Sequence, residues 1–177
     1  MEIPLTPMEF ARRARRLYPN REAVVDGDLR LTYAQFLDRC DRWSASLQAM
    51  GVKKGDRVAY IAPNTHGHLE AYYAVPQIGA VLVPINYRLL PEDFDYIINH
   101  CGAKVVCAHS DYIEAVERIR HKLEHVEHFV ALEGERAGST TRPHFASTDL
   151  NSRSRRLAKA ICSPLTTRAA RRHGPRA

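Results

Sequence analysis

The sequence contains no run of about 18 apolar residues, the length a helix needs to span a bilayer, so no membrane span is expected. Its first residues lack the apolar stretch of a secretory leader, and none is expected. Cysteine is scarce: Cys40, Cys101, Cys107 and Cys162 stand 61, 6 and 55 residues apart. None forms a Cys-x-x-Cys pair, which excludes a readable zinc ribbon or thioredoxin-type site and leaves free thiols in a cytoplasmic protein as the expectation. What is present is 177 residues, 45% of them apolar. That suffices for the core of one domain and excludes wholesale disorder.

Charge is unevenly spread. Nine of the 26 Lys and Arg residues and one of the 20 Asp and Glu residues lie in 139–177, leaving 17 basic and 19 acidic residues before that point. The pI of about 9.3 is therefore a property of the last 39 positions. Arg, Ala, Ser, Thr, Pro and Gly fill 28 of those 39 positions. The change falls near Gly138 and divides the chain into a domain over 1–138 and a basic, disordered tail over 139–177.

Over 1–138, apolar periodicity alternates between strand and helix. Thr6-Pro7-Met8-Glu9 has the form of a capping box with proline at the first helical position, and the apolar stripe that follows is Phe10, Ala14, Leu17 and Tyr18. Ala23-Val24-Val25 and Leu29-Arg30-Leu31 flank Asp26-Gly27-Asp28, a hairpin signal. Thr32 to Gln35 is a second capping box, opening a helix with Tyr33, Phe36, Leu37, Cys40, Trp43 and Leu47 inward. Strands follow at Arg57–Ile61, Val81–Val83 (an apolar run of buried type), Lys104–Ala108 and His128–Leu132. Between them lie helices marked by Leu69, Tyr72, Tyr73 and Ile78, by Phe94, Ile97, Ile98 and Cys101, and by Ile113, Val116, Ile119 and Leu123. Strands separated by helices predict an α/β fold with a mostly parallel sheet and flanking helices.

Five features invite a functional reading. His121-Lys122-Leu123-Glu124-His125 matches the H-x-x-E-H pattern of some zinc peptidases. On a helical wheel, however, both histidines fall opposite the apolar stripe, so an exposed face is expected and not a metal site. His66-Gly67-His68 has no carboxylate or cysteine in ligand register and is read as a helix start near the strand ends. Gly51 to Asp56 precedes a strand, the reverse of a phosphate loop, and reads as a helix-to-strand turn. Gly138-Ser139-Thr140-Thr141-Arg142-Pro143 clusters groups that suit phosphate oxygens but lacks the lysine and second glycine of such a loop. Arg153 to Arg156 and Arg168 to Arg176 would suit nucleic-acid phosphates. Only Phe145 is there to stack on bases, so specific nucleic-acid binding is not expected.

The stretch Glu22 to Leu132 resembles the N-terminal part of the adenylate-forming acyl-CoA synthetases, the AMP-binding enzyme family. The matching pieces are Leu31-Thr32-Tyr33-Ala34-Gln35-Phe36, Leu47 to Ala59, Ala62-Pro63-Asn64, Gly79 to Leu89, and Tyr96 to Lys104. Their order and spacing make the match specific. The Pro84-Ile85-Asn86-Tyr87-Arg88-Leu89 form suggests the fatty or aromatic acyl-CoA ligase branch. The resemblance implies two steps in the complete enzyme. A carboxylate, such as a fatty acid, attacks the α-phosphate of Mg-ATP, and coenzyme A then displaces AMP from the acyl-adenylate. The family's Ser/Thr/Gly loop with its Lys, and the parts beyond it, lie past the matched region. No catalytic, cofactor-binding or metal residue is therefore assigned, and Asn86 and Arg88 are read as turn and packing residues. ATP, Mg and CoA belong to the complete enzyme, and the chain by itself is expected to be an inactive, incomplete N-terminal subdomain; the alternatives are a non-catalytic interaction module and a basic-tailed nucleic-acid binder. The composition change at Gly138 suggests out-of-frame translation of 139–177. A natural variant with a selected basic tail is the competing account.

Overall fold

The structure, a computed structural model, describes residues 6–132 and the two-residue strand Ala146–Ser147. Helix α1 spans Pro7–Leu17, with Thr6 in the N-cap position but without the side-chain bond that the Thr6–Glu9 capping box predicts; only the backbone N–H of Glu9 reaches back, to the Thr6 carbonyl. Strands β1 (Glu22–Asp26) and β2 (Leu29–Thr32) form an antiparallel hairpin. Gly27 turns it with φ of 55°, a left-handed conformation that costs a side-chain-bearing residue energy. Thr32 then starts α2 (Tyr33–Ala49) with both bonds of the capping box: Gln35 N–H donates to Thr32 Oγ1, and Thr32 N–H donates to Gln35 Oε1.

β3 (Arg57–Ile61), α3 (His66–Gln77), β4 (Val81–Ile85), α4 (Pro91–Cys101), β5 (Ala103–His109), α5 (Ile113–Ile119), β6 (His128–Leu132) and β7 (Ala146–Ser147) complete the order. The second sheet has the order β4-β3-β5-β6-β7, and every neighbouring pair is parallel. Its two central strands are buried on both faces, which explains their unbroken apolar runs. Val58, Tyr60, Val105, Cys107 and Val130 point to one core, which α2, α3 and the hairpin cover. Ala59, Ile61, Val106, Ala108 and Phe129 point to the other, beneath α4 and α5.

Four further local expectations are corrected. The stripe of α1 does not enter the core, because Phe10, Leu17 and Tyr18 are 63%, 47% and 46% exposed. On α3 the inward residues are His68, Glu70, Ala71, Ala74 and Val75, while Leu69 and Tyr72 face outward; the close approach of α2 demands small residues at the contact. Val81–Val83 lies on an edge strand and is only partly covered, with Val81 48% exposed. The helix from Ile113 ends at Ile119, and Arg120–Lys122 tightens into a 3₁₀ turn before Leu123. Leu123 is buried as the periodicity requires.

Candidate functional site

The helix after β3 packs on the α2 side of the sheet, and the helix after β5 packs on the other. In open parallel sheets a crevice forms beyond the carboxyl ends of the strands where connections diverge in this way. The chain leaving β3 there runs Ala62-Pro63-Asn64-Thr65 into α3. Beside it lies a cavity of about 270 Å³, lined by Val25, Asp26, Asn64, His66, His68 and Tyr72 among others.

Two histidines shape this cavity. His66 donates its backbone N–H to Asp26 Oδ2 at 2.8 Å, and its Nδ1 lies 2.7 Å from the same oxygen. Asp26, from the hairpin, thereby binds the first turn of α3, where Thr65 makes no side-chain cap. The His66 backbone bond, followed by the side-chain bond, holds the Asp26 carboxyl below the usual aspartate range. His68 is buried, with its ring stacked between Tyr60 (5.9 Å between centroids) and Tyr72 (5.4 Å). Its Nδ1 is 3.3 Å from the Pro63 carbonyl, an acceptor for a ring N–H at that nitrogen. The other ring nitrogen, Nε2, has no hydrogen-bond partner among the described residues.

Two residues further along α3, Glu70, buried, takes the guanidinium of Arg39 from α2. Trp43 Nε1 donates to the hydroxyl of Tyr60, a fully buried residue whose own ionisation burial strongly opposes. Burial also raises the Cys107 thiol to about 12 and pushes the Cys40 thiol higher still. Cys40, Cys101 and Cys107 are free thiols. The lining contains Asp26 but no Lys or Arg among the described residues. An ATP triphosphate would need such cations or a nest of amides, and this lining presents a carboxylate where a phosphate would want a cation.

The other candidates separate. His121, Glu124 and His125 are exposed, as the wheel requires, but they lie on a 3₁₀ turn and its exit and not on one helix. Among the described residues, no three His, Cys, Asp or Glu side chains are grouped to hold a metal ion. Gly51 to Asp56 is the expected helix-to-strand turn: Lys53 N–H donates to Asp56 Oδ2 and Gly55 N–H to the Gly79 carbonyl. Asn86 accepts the Arg88 N–H at 3.1 Å in an Asx-type turn, and the Arg88 guanidinium lies over the Tyr87 ring. The loop Gly138 to Pro143 and the arginines from Arg153 onward lie outside the described residues. Sequence reading missed the Asp26–His66 and Arg39–Glu70 contacts. Their partners are 40 and 31 residues apart, and no local pattern joins them.

The sequence model of the AMP-binding enzyme family, described as "AMP-binding enzyme", matches residues 10–167. The chain belongs to the AMP-binding enzyme family. It is 41% identical over 137 residues to a long-chain-fatty-acid–CoA ligase of Thermus thermophilus, covering 75% of this chain and 25% of that protein. It is 44% identical over 104 residues to a peroxisomal benzoate–CoA ligase of Arabidopsis thaliana, covering 59% and 18%. A crystal structure titled as a putative long-chain-fatty-acid CoA ligase from Rhodopseudomonas palustris superposes with a TM-score of 0.72. It is 32% identical and covers 80% of this chain and 35% of that one. The chain thus spans about a quarter or less of the curated relatives it matches.

The family match begins inside α1 and runs past Gly138 to Thr167. The pieces that carry the resemblance to AMP-binding enzymes do structural work here. They cap α2, turn into β3, edge the sheet along β4 and close α4 at Gly102. Among the described residues, no helix of this family member is long and apolar enough to cross a membrane.

Proposed function

We propose that this chain is the N-terminal part of an acid–thiol ligase that makes an acyl-CoA from a carboxylic acid, ATP and coenzyme A, with Mg²⁺ on the nucleotide. The observation that supports this reading best is the AMP-binding family match over 10–167, alongside relatives named as CoA ligases of fatty and aromatic acids. A fatty acid is the proposed substrate, within the fatty or aromatic acyl-CoA ligase branch that the Pro-Ile-Asn-x-Arg-Leu pattern of Pro84 to Leu89 suggests. The cytoplasm is the proposed compartment, which unpaired thiols favour.

Residues 1–177 alone are proposed to be inactive. Adenylation stabilises a pentavalent phosphorus with a loop lysine, Mg²⁺ and positioned donors. The lining of the cavity at the end of β3 holds no Lys or Arg among the described residues. Losing one such donor typically costs about 10²–10³ in rate, so a chain without any of them would turn over at background. Pyrophosphate release with ATP and a panel of fatty and aromatic acids should match a no-enzyme control. Acid-dependent release above that control would end the proposal.

The segment 139–177 is proposed to be translated out of frame, on the strength of its composition. The family match reaching Thr167 supports the opposite account, in which the segment keeps family sequence. Reading the encoding DNA in all three frames past codon 138 separates them. A Thr-Ser-Gly-Thr-Thr-like loop followed by Pro-Lys-Gly in another frame supports the frameshift, and its absence from every frame removes it.

A further inference from the structure

Among the described α-helices, α1 alone buries no residue, although it is strongly two-sided. On a wheel of about 100° per residue, Phe10, Ala14 and Leu17 form one seam, flanked by Arg13 on one side and Tyr18 on the other. The helix is held through its other edge. Ala11 packs on the core, and Arg15 pairs with Asp41 of α2 at 2.8 Å. That docking turns the apolar seam outward, with Phe10 63% exposed.

We propose that this seam docks on an anionic phospholipid bilayer, with Phe10 and Leu17 entering the headgroup–acyl boundary and Arg13 and Arg16 facing the lipid phosphates. Charge complementarity selects this occupant. Arg12 is taken by Glu9 and Arg15 by Asp41, while Arg13 and Arg16 are exposed and have no ion-pair partner among the described residues. Arg21 adds a further cation, lying over the Tyr18 ring at 5.2 Å. Tyr18 at the rim is the kind of side chain that sits at headgroup depth. An apolar seam bordered by arginines is what a surface-lying helix presents to a bilayer, and nucleic acid would have no use for the aliphatic Leu17 and Ala14 of that seam. Two inserted side chains give weak, reversible binding, to which the basic segment 139–177 adds its non-specific attraction.

The test uses the full chain and vesicles of phosphatidylcholine with and without phosphatidylglycerol. Co-sedimentation is expected only with the anionic vesicles, weakening as salt is raised. Arg13→Gln with Arg16→Gln should weaken it about 30-fold, the factor expected for two cations at an anionic leaflet. Phe10→Ser with Leu17→Ser should also release the protein, and circular dichroism and Trp43 emission should report an unchanged fold. Phe10→Trp supplies a direct reading of insertion, a blue shift in emission on adding anionic vesicles. Co-sedimentation without that shift would mean that charge elsewhere binds the vesicles, and would overturn the proposal. A blue shift that grows with protein concentration in the absence of lipid would overturn it too, because a second copy would then cover the seam. Binding that survives the Phe10 and Leu17 substitutions would do the same.

Discussion

Arg39 and Glu70 form an asymmetric ion pair: the Glu70 side chain is 4% exposed and the Arg39 side chain 29%. Removing the arginine leaves a carboxylate buried without a partner, whereas removing the carboxylate leaves a guanidinium that can reach water. Arg39→Ala should therefore destabilise by about 3 kcal/mol, and Glu70→Gln by clearly less. The urea midpoints of the two variants check the order. Asp26 gives a second expectation at this scale. Its folded pKa lies below its unfolded value. The stability it contributes is thus fully present above about pH 4, the unfolded range, and is lost as pH falls through the folded value. Asp26→Asn should lower stability at neutral pH and flatten the acid limb of the stability curve, which thermal melts at a series of pH values would show.

At the scale of elements, the meeting of β3 with the end of α4 depends on one side chain. Arg57 Nε donates to the Cys101 carbonyl and Nη2 to the Gly102 carbonyl, both at 2.6 Å, so a strand residue satisfies the open end of a helix. Gly102 takes φ of 60°, and a Cβ there would stand 2.6 Å from Arg57 Nη2. Gly102→Ala meets the left-handed penalty and also displaces the guanidinium, for a loss of about 1–2 kcal/mol or more. Arg57→Ala should cost a similar amount, since hydrogen bonds from a charged donor contribute about 1.5–3 kcal/mol each at most. If the two substitutions act on one contact, their combination will cost less than their sum, which a double-mutant cycle in urea reads directly.

For the whole molecule, helices cover both faces of the sheet, so exposed sheet faces are not its liability within the described residues. An exposed edge is β4, where Val81 is 48% open and the strand pairs only with β3 among the described residues. An uncharged, apolar edge invites pairing with another chain, and Pro84 blunts only the far half of this one, leaving Val81 to Val83 open to it. Val81→Lys should lower the sedimentation-average mass at high protein concentration while leaving the melting temperature nearly unchanged. Unchanged association would move the self-contact to another surface.

Strand and helix alternation was legible because central strands buried on both faces must be apolar throughout, as Val58 to Ile61 and Val105 to Ala108 are. The capping box at Thr32, the turn at Gly27 and the stop at Gly102 were legible because each acts within a few residues of itself. The family likeness was readable for the same reason, since it rests on the order of such local signals. Burial was a different matter. A stripe such as Phe10, Ala14, Leu17 and Tyr18 says only that a helix has an apolar side. Whether that side meets a core depends on which edge docks, and here the Arg15–Asp41 pair and Ala11 turned it outward. Likewise Val81 looked buried until strand order put it at the edge, and His66 met Asp26 only because the hairpin folds against the start of α3. Periodicity records a preference of one segment, but burial and pairing are properties of two surfaces, and the second surface lies elsewhere in the chain.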